Sequence, residues 1–119
     1  MAFIGIDLGT TTSEVSVYRN DAPRILKDAQ GDAIVDSKVG IDPTDDRDDE
    51  IKVGNIVSDF IKLNPDNGIS KIKRKMGDEI TIDIGESSYT PAEISALILK
   101  HLKESAEERL DETVERCVI

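Results

Sequence analysis

The chain has 119 residues, with 15 Lys+Arg against 25 Asp+Glu and a formal charge of -10. That length suits one compact domain or part of a larger one, and the charge repels phosphate backbones. Two Phe, two Tyr and no Trp cannot build a base-stacking platform, so nucleic-acid binding is excluded.

The longest apolar runs fall far short of a membrane span, and no basic-then-apolar leader opens the chain. One Cys excludes an intrachain disulfide and fits a reducing compartment. One His excludes His-rich metal sites. A soluble cytoplasmic protein is the expectation. Sixteen Ile and eight Val against seven Leu lean toward strands.

Ala2 to Leu8 (AFIGIDL) is apolar except for Gly5 and Asp7 and reads as a buried strand. Glu14 to Tyr18 (EVSVY) alternates with period two, the pattern of a half-buried strand. Between them Gly9-Thr10-Thr11-Thr12-Ser13 is a turn. Asn20 to Pro23 turns again into a short strand around Arg24 to Lys27, which makes an antiparallel meander of three strands.

Gln30-Gly31-Asp32 is a turn, and Ile34 to Ile41 is extended. Pro43 to Glu50 is a polar loop. Ile51 to Val53 reads as a strand, and Ile56, Val57, Phe60, Ile61 and Leu63 have helical spacing. Asn64 to Gly68 stops that helix. Ile80, Ile82 and Ile84 alternate as a strand, and Gly85-Glu86 turns into Ser87 to Tyr89. Thr90 with Glu93 forms a capping box and Pro91 takes the first helical position. The stripe Ile94, Leu97, Ile98, His101, Leu102, Ala106 and Leu110 then defines a helix from about Pro91 to Leu110. Arg116 to Ile119 begins a further strand where the sequence stops, as a fragment would. The strand edge at Cys117 to Ile119 invites strand addition or self-association.

The turn after the first strand is the best chemical candidate. An unpaired Asp7 carboxylate in a buried strand is costly. Gly9 lets amides approach a ligand, and Thr10, Thr11 and Thr12 add hydroxyls beside them, a set that suits phosphate oxygens. Asp7 can hold a hydrated Mg²⁺. The spacing is not that of a Walker loop, and the same residues also make an ordinary hairpin. Lys71, Lys73, Arg74 and Lys75 are either a solvated turn or a cation aimed at a terminal phosphate. Asp42, Asp45, Asp46, Asp48, Asp49 and Glu50 do not fit an EF-hand and read as a solvated loop. His101 reads as a satisfied, partly buried residue and Cys117 as a small core residue.

IGIDLGTTTS, NPDNGISKIKRKMG, YTPAEISALILKHLKESAE and VERCVI, in that order, resemble the start of heat shock protein 70 (DnaK-type) chaperones. The first block is shared in outline with actin and sugar kinases, whereas IKRKMG and the TPAEISA helix are specific to this family. The resemblance implies an α+β fold, the partial first lobe of an actin-like, ribonuclease-H-like ATPase domain. Residues 1–37 and 91–119 would form the lobe's core, and 38–90 a smaller αβ subdomain. It implies ATP/ADP and Mg²⁺ as cofactors. Asp7, Gly9, Thr10, Thr11 and Thr12 would lie on the phosphates and metal, and Lys73 on the γ-phosphate and attacking water, so that Asp7 and Lys73 carry the catalytic roles. The implied partners are client polypeptides and co-chaperones.

The chain departs from the family's pattern at Thr12, where Asn or Tyr usually stands. It departs again at Asp36, in place of a Pro, and in the shorter loop after Gly77. The second lobe has no counterpart in these residues, so the chain alone is not expected to be catalytically competent. The alternative is a stand-alone interaction module that binds a partner protein and no nucleotide.

Overall fold

The computed structural model describes residues 2–44 and 50–119. Asp45, Asp46, Asp48 and Asp49, from the expected solvated loop, lie outside the described residues. Strands β1 (Ala2–Leu8), β2 (Thr12–Arg19) and β3 (Ala22–Leu26) form the expected antiparallel meander. The Asn20-Asp21 turn between β2 and β3 has both residues at positive φ, the geometry of a type I′ hairpin, which matches the twist of the strands it joins.

The short β4 (Val35–Asp36) pairs with the start of β2, and β5 (Lys38–Gly40) lies between β6 (Lys52–Val53) and β7 (Gly68–Ser70) in a second sheet. Helix α1 (Ile56–Leu63) packs on that sheet through Val57, which is fully buried. Gly40 and Gly68 pair directly beneath it. A Cβ on Gly40 would sit 2.6 Å from the Asn67 carbonyl oxygen and 2.9 Å from Val57, so only glycine permits this approach. Asn64 caps a single 3₁₀ turn at Pro65–Asn67, its side chain accepting from the Asp66 amide at 2.9 Å. Asp42 makes a similar local turn, accepting from the Thr44 amide at 2.8 Å.

The hairpin β8 (Ile82–Ile84) and β9 (Ser87–Tyr89) leads into α2 (Pro91–Leu110). The capping box is formed in both directions: Glu93 N–H to Thr90 Oγ1 at 3.2 Å, and Thr90 N–H to Glu93 Oε1 at 3.1 Å. Ile94, Ile98, Leu102 and Ala106 are fully buried. They recur every fourth residue and lie against Ile4, Ile6, Val15 and Val17 in one hydrophobic cluster. The same cluster takes in Val39, Val53, Ile72 and Ile84, so the second sheet and the hairpin share one core with the meander. Arg109 fastens the end of α2 to the loop after β3, donating to the carbonyls of Lys27 and Asp28 at 3.1 and 2.9 Å.

Strand β10 (Val114–Val118) lies parallel to β1 at the sheet's edge, in the order β10-β1-β2-β3. It begins two residues earlier than the apolar run suggests, because Val114 closes the core under α2. The fold is therefore α+β with a mixed sheet, as expected.

Cys117 is a correction. It lies opposite Ile4 in the ladder yet is exposed, because α2 covers the sheet only as far as Val114. It borders an open groove with Leu99 and Ile119, and partial burial there pushes its thiol up from the ordinary range.

Candidate functional site

The end of β1 and the start of β2 are joined by Gly9, Thr10 and Thr11. The turn is closed by the Gly9 N–H donating to the Thr12 carbonyl at 3.1 Å. A Cβ on Gly9 would sit 2.3 Å from that carbonyl oxygen, so any side chain there would force the turn open. Gly9 and Thr10 are half-buried, Thr11 is exposed, and Thr12 is the half-buried first residue of β2. The turn thus offers backbone and hydroxyls at a partly exposed surface, with the Thr12 carbonyl packed where a Gly9 side chain would stand.

Asp7 does not sit as expected. Period-two alternation sends Ala2, Ile4 and Ile6 to the core and Phe3, Gly5 and Asp7 to the other face of the sheet, where Asp7 is exposed. The Asp7 carboxylate therefore stands toward solvent and needs no bound partner to be tolerated. Opposite it in the ladder stands Glu14, which the sequence reading did not single out. Two like charges directly across a strand pair repel.

Lys73 reaches this turn from 65 residues away, and its Nζ donates to the Leu8 carbonyl at 3.0 Å. The anchor is its neighbour. Ile72 opens a short 3₁₀ helix (Ile72–Lys75) and is 2% exposed in the core, which fixes the turn beside α2. Ser95 Oγ on α2 lies 3.3 Å from Met76 Sδ at the far end of that turn. Lys71 precedes it with φ 57°, a left-handed residue that starts the turn sharply. Lys71, Arg74 and Met76 remain exposed. Of the basic cluster it is Lys73 that is brought to the turn.

Behind the turn lie two serines that the sequence reading passed over. Ser37 donates from Oγ to the Gly9 carbonyl at 3.0 Å and from its amide to the Thr11 carbonyl at 2.9 Å. Ser13 Oγ lies 2.8 Å from Ser37 Oγ. The signal was present: Ser13, Val15 and Val17 share a strand face, as do Val35, Ser37 and Val39, so both serines fall among core valines.

Beside them, Asp36 supplies what a proline could not. Its N–H donates to Asn55 Oδ1 at 2.6 Å, and its Oδ2 accepts from Ser58 Oγ at 2.8 Å. Lys38 Nζ completes the cluster by donating to Ser58 Oγ at 2.7 Å. This departure thus ties β4 to the start of α1, a bond a proline nitrogen cannot make.

His101 lies away from this turn. Its Nε2 is 3.1 Å from Oδ2 of the fully buried Asp28. Asp28 Oδ1 accepts from the amides of Gln30 and Asp32 at 3.0 and 2.9 Å. The pair organises the loop after β3, as expected of a satisfied histidine.

Among the described residues no three His, Cys, Asp or Glu side chains gather as a metal cage. The donors at the turn, Asp7 with Glu14 opposite, fit a different kind of ion. Mg²⁺ keeps several waters and accepts one or two carboxylates plus phosphate oxygens. No helix among the described residues is long and apolar enough to cross a membrane.

The family described as "Hsp70 protein" matches residues 3–84 and 79–119. The chain is 43% identical over 116 residues to "Chaperone protein DnaK" of Mycoplasmopsis agalactiae (strain NCTC 10123 / CIP 59.7 / PG2), an alignment covering 98% of this chain and 18% of that relative. The chain thus spans less than a fifth of the length of the curated relative it matches. The blocks that carried the resemblance lie within these matches, and the chain belongs to the heat shock protein 70 family.

Proposed function

We propose that this chain supplies the first phosphate-binding turn of an ATP-dependent chaperone. ATP hydrolysis in the complete protein would be coupled to folding of client polypeptides in the cytoplasm, with co-chaperones as further partners. Asp7 orients the hydrated Mg²⁺, and Gly9, Thr10, Thr11 and Thr12 cradle the β- and γ-phosphates of ATP or ADP. Lys73 stabilises the transferring phosphoryl group. Residues 1–37 and 91–119 act as the core of the lobe and 38–90 as its smaller subdomain. One observation carries this reading: the Lys73 ammonium lies 3.0 Å from the Leu8 carbonyl. An ammonium group has been brought across 65 residues to the end of the strand that opens the glycine turn. Positioning plus electrostatics is most of what phosphoryl transfer asks of a protein.

The bound metal would neutralise phosphate charge, and the chain's own residues set where that charge sits. Lys73 is exposed and its four-carbon stem is flexible, so its ammonium can leave the Leu8 carbonyl for a phosphate oxygen without losing a buried contact.

Calorimetric titration with Mg-ATP and Mg-ADP tests this. We expect weak binding that requires Mg²⁺ and slow turnover, because one lobe presents only one side of the nucleotide. Lys73→Ala should lower ATP affinity by about tenfold, the worth of one charge-assisted hydrogen bond, with ADP affected less. Equal loss of both nucleotides would remove Lys73 from the γ-phosphate. Turnover matching an intact family member, abolished by Lys73→Ala, would refute the view that a single lobe is insufficient.

A second reading has one observation in its favour. Among the described residues strand β10 leaves its outer edge unpaired in the sheet order, with Val118 exposed on the open face and Ile119 exposed beside the groove at Cys117. Such an edge can add a strand from a second molecule. A dimer mass by size exclusion with light scattering, together with silence toward nucleotide, would favour an interaction module.

A further inference from the structure

The two serines behind the glycine turn are buried among apolar residues, Ser37 at 2% exposure and Ser13 at 1%. A hydroxyl has one proton to give. Ser37 gives its proton to the Gly9 carbonyl, so the proton between the two hydroxyls must come from Ser13. The chain of donation runs from Ser13 to Ser37 to Gly9. The Ser37 amide meanwhile holds the Thr11 carbonyl.

The direction of those carbonyls sets the direction of the amides. No peptide bond among the described residues is cis, and in a planar trans unit the carbonyl and the following N–H point opposite ways. With the Gly9 and Thr11 carbonyls held inward on Ser37, the Thr10 and Thr12 amides point away from it. Ser37 is buried, whereas Thr11 is exposed and Thr10 and Thr12 are half-buried, so those two donors point away from the interior, on the side from which an anion would arrive. Backbone amides turned outward at a turn can line an anion-binding concavity.

We propose that Ser37, with its proton order set by Ser13, is the positioning residue of the phosphate turn. It holds two carbonyls so that the amides of Thr10 and Thr12 are presented before ligand binds. The inference rests on the reading that this turn takes phosphate, and it adds how the turn is made ready. Preorganised donors stabilise charge more than donors that must reorient. Ser37 touches no ligand and acts only through the backbone of Gly9 and Thr11.

The test compares Ser37→Ala, Ser13→Ala and Ile98→Val with the unsubstituted chain. The last variant removes one methylene from α2, remote from the turn, and controls for lost stability. Amide resonances of Gly9, Thr10 and Thr12 are recorded without ligand, and Mg-ADP affinity is measured by calorimetry. Ser37→Ala should move the three resonances and weaken Mg-ADP by about tenfold, the scale of one lost buried hydrogen bond. Ser13→Ala should move them in the same direction by less, and Ile98→Val should leave both readouts in place. Unmoved Thr10 and Thr12 resonances in Ser37→Ala overturn the proposal, as does an equal response in Ile98→Val. If the unsubstituted chain binds no Mg-ADP, the nucleotide reading fails separately. The ligand-free resonances then decide the role of Ser37.

Discussion

The two faces of the β10-β1-β2-β3 sheet are built from alternate residues of the same strands and have opposite characters. On one face Ile4, Ile6, Val15 and Val17 meet α2 and are at most 7% exposed. On the other, Phe3, Tyr18, Ile25 and Val118 are 48–66% exposed, and Asp7 and Glu14 stand among them. The first face holds the molecule together. The second carries the charge and, at its end, the glycine turn. Side chains one residue apart differ this much because a strand places successive Cβ atoms on opposite sides. Stability and ligand chemistry can therefore be altered almost independently.

The largest effect should come from breaking the covered face. Ile98→Ala removes three carbons from a fully buried site on α2 and should cost about 2–5 kcal/mol, read from urea unfolding. That is a large part of the ~5–15 kcal/mol typical of a domain. A cost near zero would mean that α2 is not the main packing partner of the sheet. Next comes the junction of the two faces. Gly9→Ala drives a Cβ against the Thr12 carbonyl and should cost about 1–3 kcal/mol as an overpacked turn, with loss of Mg-ADP binding. Retained binding would show that the turn does not carry phosphate. The smallest effect should come from the open face. Phe3→Ser should change stability by within about 0.5 kcal/mol, since the ring is already mostly in water. A larger loss would mean that something covers this face in solution, and a concentration-dependent mass would identify a second copy.

Much of this was legible in the residues. The capping box at Thr90 and Glu93, the proline after it and the four-residue recurrence of Ile94, Ile98 and Leu102 specify α2 by local rules alone. The meander was equally readable, because alternation and turn residues act over a few positions. The glycine turn and the basic turn were each visible as candidates. That Lys73, rather than Lys71 or Arg74, meets the glycine turn was not a local matter. It follows from Ile72 entering the core, which orients the residue after it.

The misplacements share a cause. Asp7 was read as buried because its strand is apolar, yet burial belongs to a face and not to a strand. Cys117 was read as core because its neighbours are apolar, yet α2 covers β10 only at Val114. Asp28 and Ser37 drew no attention, because a polar residue in a loop looks ordinary until the chain folds over it. Asp28 is fully buried against His101, 73 residues away.

The sequence by itself determined the meander, helix α2 and the family, since helix caps, period-two alternation and motif blocks are short-range patterns carried by consecutive residues. It did not show β7, the division of Ile34 to Ile41 between two sheets, or that β8 begins only at Ile82. The tertiary structure alone decided which side chains converge. Lys73 on Leu8, Ser37 on Gly9 and His101 on Asp28 span 65, 28 and 73 residues. Such meetings depend on how one shared core closes, because the placement of each polar group is fixed by the apolar residues beside it.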